Sequence, residues 1–190
     1  MNIPNLLTLY RIVVMIPLVL TLTSKTPNIY LALFLIASAY FSDAIDGIIA
    51  RRFNQATDFG ARFDIAADRI IEFCLWVVFC SLGIFPSVMA VIAIVRGILT
   101  DSIREFFFIN QKLKPFEVTA NSWGNFIVSS RISRGLYGAI KLIAFVLALF
   151  AIQYPSLLNI TLVFGWISIG YNLLRGLPVL MSISSLLKNY

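Results

Sequence analysis

From residue 142 to residue 174 the chain carries no charged side chain. A helix needs roughly 20 residues to cross a bilayer, so this stretch is too long for one crossing. Gln153, Tyr154, Pro155 and Ser156 interrupt it, and proline breaks the backbone ladder of a helix. The stretch is therefore read as the facing parts of two crossings that reverse near Pro155.

The rest of the chain repeats this pattern. Of 190 residues, 59% are hydrophobic and 13% charged, with a mean hydropathy of +0.90. A soluble domain of this size has no core large enough to hide so much apolar surface. The sequence predicts an all-α integral membrane protein, a single domain over residues 1–190, with six transmembrane helices. These helices are expected near residues 5–23, 29–52, 61–82, 87–108, 131–153 and 156–183. "SKTPN", "LGIFPS" and "QYPS" supply turn residues between them. Pro17 is expected to bend the first helix, and Pro178 to end or kink the last. The longest polar connection covers residues 110–126.

The net charge is +6. The connections after the second and fourth helices hold Arg51, Arg52, Arg62, Lys112, Lys114 and Arg131, whereas those after the third and fifth hold neither Lys nor Arg. The positive-inside rule then puts the basic loops and both termini in the cytoplasm, as in a bacterial-type inner membrane. On such a chain the positive charge reads as attraction to anionic headgroups, with no nucleic-acid partner expected. "MNIPN" lacks a basic leader and a cleavage site, so no cleaved signal peptide is expected. Cys74 and Cys80 lie in an apolar run and read as inert thiols. The sequence has no histidine. Ser-His and Cys-His mechanisms are excluded, and any metal site must use oxygen ligands.

Asp43, Asp46, Asp58, Asp64, Asp68 and Glu72 crowd into one short segment. Asp43 and Asp46 are spaced i,i+3, and Asp64 and Asp68 i,i+4, so each pair shares a helix face. A hairpin turning near residue 55 would bring the two pairs to one level, facing each other near the membrane boundary. Carboxylates gathered there must protonate, pair with arginines such as Arg51, Arg62 or Arg69, or bind divalent cations. All-oxygen ligands favour Mg²⁺, Mn²⁺ or Ca²⁺, and a two-metal site suits phosphoryl chemistry. A divalent-cation transporter using the same cluster is a second reading. Gly47, Ala50 and Gly60 leave helix faces without bulk, either for close helix packing or for a ligand. Arg51 has the fork geometry that grips phosphate.

These residues form one spaced pattern: Asp43-x-x-Asp46-Gly47-x-x-Ala50-Arg51, eight residues, Gly60-x-x-x-Asp64-x-x-x-Asp68. The pattern resembles the signature of the CDP-alcohol phosphatidyltransferase family. "IPNLLTLYR", residues 3–11, and "SIREF", residues 102–106, are similar to segments of the phosphatidylglycerophosphate synthases within it. The resemblance implies a membrane enzyme, commonly a homodimer, with six helices around a polar cavity that faces the cytoplasm, which transfers the phosphatidyl group of CDP-diacylglycerol to an alcohol and releases CMP. It implies two divalent cations, Mg²⁺ or Mn²⁺, on Asp43, Asp46, Asp64 and Asp68, with Asp68 also the general base. It implies donor contacts from Asn5, Leu6, Leu7, Thr8, Gly47, Ala50, Arg51, Thr57 and Gly60.

The acceptor is read from the second half of the chain. Arg96, Arg104, Arg131 and Arg134 are expected near the same boundary, and Arg104, Arg131 and Arg134 are the candidates for holding an anionic acceptor. Glycerol 3-phosphate is the acceptor the resemblance favours. Inositol phosphate, suggested by Asp68-Arg69, and a lipid acceptor such as phosphatidylglycerol remain open. "SSRISRG", residues 129–135, stands where the glycerol-phosphate-using synthases tend to have two lysines.

Overall fold

The structure, a computed structural model, describes residues 3–52, 57–111 and 130–181. Within these, the surroundings of several residues lie outside the description, among them Gly47 and the side chains of Asp46, Ala50, Arg51 and Arg131. The described residues are helical, with no strand among them.

The helices are α1 (Ile3–Val13), α2 (Met15–Leu22), α3 (Ile29–Arg52), α4 (Asp58–Ser81), α5 (Ser87–Gln111), α6 (Arg131–Ala151) and α7 (Leu158–Met181). The expected first crossing is thus two helices that meet at Val14. Pro17 has no N–H to give the Val13 carbonyl, and the break falls one turn before it. Pro178 neither ends nor interrupts α7, which runs on to Met181. The third expected helix begins at Asp58 rather than Ala61, because the Thr57 side chain caps it by accepting from the Gly60 N–H at 3.0 Å. Asn28 accepts from Leu31 N–H at the start of α3, and Ser130 from Ser133 N–H at the start of α6.

The predicted turns recur in the fold. After α4 the chain closes with Gly83 N–H on Cys80 O and Ile84 N–H on Phe79 O, both 3.0 Å. That double closure needs a left-handed residue, and Gly83 supplies it at φ +74°. A short 3-10 turn at Pro155–Leu157 reverses the chain, and α6 and α7 pack against each other.

Pro4–Leu22, Ile132–Ala151 and Pro155–Met181 are long and apolar enough to cross a membrane, and α3 adds a shorter apolar stretch, Ile29–Asp43. The outer surface is apolar, with Ile16, Leu20, Phe34, Val91, Ile98, Val163 and Trp166 exposed. Such a surface suits lipid contact and would be a liability in water.

Inside, the two ends of the bundle differ. One end is an apolar core in which Trp76, Phe79, Phe85 and Phe145 meet with ring centroids 5.0–6.2 Å apart. Leu18, Leu22, Ile36, Leu75, Met89 and Leu149 close around them, almost wholly buried. The other end gathers the charged residues. Cys74 and Cys80 are both free thiols. The turn expected near residue 55 lies outside the described residues. Among those described, α1 packs against both α3 and α4.

Candidate functional site

At the polar end, α3 supplies Asp43 and α4 supplies Asp64 and Asp68. One carboxylate oxygen from each lies within 4.8 Å of the others. The i,i+4 spacing on α4 stacks Asp64 and Asp68 on one face, as expected. Their side chains are 43% and 55% exposed, and that of Asp43 is 46% exposed. Each carboxylate therefore keeps an open side. Asp46, its neighbour on α3, has its side chain outside the description.

Arg11 joins this cluster from α1. Its guanidinium donates to Asp43 and Asp64, and reaches Asp68 Oδ1 at 3.1 Å. It is 1% exposed. The sequence alone assigned Arg11 no role in the site. A cation buried in an apolar helix needs counter-charge, and the surplus of acid at residues 43–68 was the signal that could have located its partner. Of the arginines first considered as partners, Arg51 has its side chain outside the description, and the other two have acidic partners on α5. Arg62 pairs with Glu105 at 2.9 Å, and Arg69 binds Asp101 at 2.5 and 3.2 Å.

The cluster opens into a cavity of about 1030 Å³ lined by α1, α3, α4, α5, α6 and α7. The rest of its lining carries Arg69, Arg104, Arg134, Lys141 and Arg175 together with Glu72, Asp101 and Glu105, and Asp101 pairs with Arg69 at 2.5 Å and with Arg104 at 3.5 Å. Two expected acceptor residues, Arg104 and Arg134, are in this lining, and the side chain of Arg131 is outside the description. Arg96 is buried, and Gly176 leaves room for it: a Cβ there would lie 2.8 Å from Arg96 Nε.

Sequence reasoning did not find Lys141 and Arg175. They are the charges that bracket the uncharged stretch, and reversal near Pro155 brings them to the same end of the bundle. Both lie over the Tyr137 ring, at 5.0 and 5.3 Å from its centre. Below Asp68, one turn along α4, Glu72 is 2% exposed. It accepts from Tyr137 OH at 2.5 Å, Lys141 Nζ at 3.1 Å, Arg69 Nη1 at 3.1 Å and Asn172 Nδ2 at 3.3 Å. This network fixes α4, α6 and α7 under the cavity.

The expected donor residues fall around the first turns of α1 and α4. Asn5, Thr57 and Gly60 come together there: a Cβ on Gly60 would lie 2.9 Å from Asn5 Oδ1 and 3.0 Å from Thr57 Oγ1. Thr8 is buried, with its hydroxyl on Pro4 O at 3.1 Å. Leu7 is half-buried, and Leu6 is exposed on the outer face of α1. Gly47, Ala50 and Arg51 belong to the last turns of α3, with their side-chain positions outside the description.

The model of the family described as CDP-alcohol phosphatidyltransferase matches residues 1–174. The chain belongs to this family. Its members include curated proteins named CDP-diacylglycerol–glycerol-3-phosphate 3-phosphatidyltransferase. The one from Rickettsia typhi is 33% identical over 109 residues, covering 55% of this chain and 60% of the relative. The one from Mycoplasma pneumoniae is 26% identical over 142 residues, covering 65% of this chain and 61% of the relative. The one from Escherichia coli is 39% identical over 71 residues, covering 37% and 39%. The chain thus spans about 60% of the length of the first two relatives. Family membership and the apolar spans make it a membrane protein.

Proposed function

We propose that this protein transfers the phosphatidyl group of CDP-diacylglycerol to glycerol 3-phosphate and releases CMP, as the names of its relatives describe for them. The observation that carries this reading is one cavity that gathers half-open carboxylates from α3 and α4 together with Arg104 from α5, Arg134 and Lys141 from α6, and Arg175 from α7.

The donor set fits a divalent cation. It is all oxygen, and its 4.8 Å span is close to the ~4.2 Å between oxygens on opposite sides of a Mg²⁺ ion. Asp43, Asp46, Asp64 and Asp68 would hold two Mg²⁺ or Mn²⁺ ions, which when bound would neutralise the donor diphosphate and improve CMP as a leaving group.

The chain's own residues account for the rest. Asn5, Leu7, Thr8, Gly47, Ala50, Arg51, Thr57 and Gly60 form the donor side, with Leu6 on the exposed side of the same turn of α1. Asp68, at the cavity end of the cluster, takes the proton of the acceptor hydroxyl as its oxygen attacks the phosphatidyl phosphorus. A new phosphorus–oxygen bond forms to the acceptor, the bond to the bridging oxygen of the diphosphate breaks, and CMP departs with that oxygen. Arg104, Arg131 and Arg134, joined by Arg175, hold the acceptor phosphate away from the reacting hydroxyl. A phosphate-bearing acceptor fits these basic residues better than an uncharged alcohol.

The remaining features follow the same reading. Residues 1–190 act as one membrane domain of six crossings in a bacterial-type inner membrane. Termini and cavity face the cytoplasm, where CDP-diacylglycerol headgroups and a soluble phosphorylated acceptor meet. The protein works as a homodimer. An acceptor panel tests the assignment: purified protein is given CDP-diacylglycerol, Mn²⁺ and, separately, glycerol 3-phosphate, inositol phosphate and phosphatidylglycerol. Product with glycerol 3-phosphate alone is expected. Product with phosphatidylglycerol alone would reassign these basic residues to lipid headgroups.

A further inference from the structure

The carboxylates that fit a divalent cation already hold a positive charge of the chain's own. Arg11 reaches all three described aspartates of the cluster, Asp43, Asp64 and Asp68, from a third helix. It does so from a position 1% exposed, while the carboxylates are roughly half exposed to the cavity. A guanidinium cannot lose its charge under ordinary conditions. An ion approaching from the cavity therefore meets carboxylates whose charge is partly spent, and oxygens that are partly engaged.

We infer that Arg11 is a resident counter-cation that competes with divalent ions for the aspartate cluster and so sets their affinity. The inference rests on the metal-binding reading above. Three carboxylates without a counter-charge would repel one another at these separations, and Arg11 holds them converged. The same charge repels an incoming cation over a few ångströms, where the interaction is strong in a partly buried site. The arrangement keeps the ligands in place without letting an ion bind so tightly that product release suffers.

A simple second-sphere prop would behave differently. A residue that only orients metal ligands lowers metal affinity by about 10- to 100-fold when removed. A competing cation raises affinity when removed. The sign of the change separates the two.

The test is Mn²⁺ binding to the full chain in detergent, read by the free-Mn²⁺ electron paramagnetic resonance signal, for wild type, Arg11→Gln and Arg11→Lys. Arg11→Gln is expected to bind Mn²⁺ about tenfold tighter or more. Arg11→Lys keeps the charge and is expected within about threefold of wild type. If Arg11→Gln is stable only when purified with Mn²⁺, its affinity is read by chelator titration, with the same expectation. Failure to fold even in saturating Mn²⁺ would overturn the inference, because a competing ion should replace the lost charge. Wild type binding Mn²⁺ while Arg11→Gln binds equally or more weakly would also overturn it, leaving the metal reading intact. Absence of Mn²⁺ binding in every variant would overturn both.

Discussion

Gly60 and Asn5 meet where the first turns of α4 and α1 converge, so closely that a Cβ on Gly60 would lie 2.9 Å from the Asn5 side-chain oxygen. The contact ties the glycine of the family signature to the "IPNLLT" segment, which the sequence alone places far apart. It also explains why glycine, a poor helix former, stands in the first turn of α4.

A Gly60→Ala substitution follows from it. Alanine should favour the helix by up to about 1 kcal/mol, but its methyl must push the Asn5 side chain aside. That side chain is flexible at its end, so the fold should survive, with a melting temperature close to wild type. What should change is donor recognition, with the KM for CDP-diacylglycerol rising several-fold. A raised melting temperature with an unchanged donor KM would mean that Asn5 takes no part in the donor site.

Asp68 is expected to separate proton chemistry from ion binding. Asp68→Asn keeps the shape and one ligand oxygen but removes the base, so turnover should fall by roughly 10²-fold or more while donor binding in Mn²⁺ persists. Asp43→Asn should weaken Mn²⁺ binding and turnover together. The comparison needs initial rates beside an Mn²⁺ titration of donor binding. Turnover of Asp68→Asn near the wild-type rate would place the base elsewhere.

Arg175 offers a check on the basic residues of the cavity. Losing one charge-assisted contact to a phosphate costs about 1.5–3 kcal/mol, so Arg175→Ala should raise the glycerol 3-phosphate KM by roughly ten- to a hundredfold and leave the donor KM nearly unchanged. Kinetics with each substrate varied in turn decide it. Equal rises in both constants would give Arg175 a packing role over Tyr137 instead.

Much of this site was legible before the fold. The aspartate spacing, the turns at Gly83 and Pro155, and Arg104 and Arg134 near the cluster all follow from helical periodicity and turn chemistry. Arg11 and Glu72 were not legible in the same way. Their positions depend on α1 packing against both α3 and α4, and on α6 and α7 supplying Tyr137, Lys141 and Asn172 to a carboxylate from α4. Those are contacts between helices distant in sequence, and no periodicity within one helix encodes them. The break at Val14 and the continuation of α7 past Pro178 show the converse. A proline states which hydrogen bond is lost, while the packing around it decides how far the helix yields.

Glu72 measures that tertiary contribution. Its carboxylate is 1% exposed and gathers Arg69 and Lys141. Breaking a buried ion pair by removing one partner typically costs about 3–5 kcal/mol, so Glu72→Gln should lower unfolding stability in detergent by that order. Adding Lys141→Met removes the stranded charge and should recover part of the loss. A single substitution costing under about 1 kcal/mol, or no coupling in the double variant, would contradict a buried ionic floor.

The most direct test of the whole account is CMP release by the purified protein from CDP-diacylglycerol, with glycerol 3-phosphate present, before and after divalent ions are removed by a chelator. The account predicts one CMP for each phosphatidyl group transferred, loss of activity in chelator, and its return with Mg²⁺ or Mn²⁺. CMP release undiminished in excess chelator, or release that never accompanies a lipid product, would contradict it.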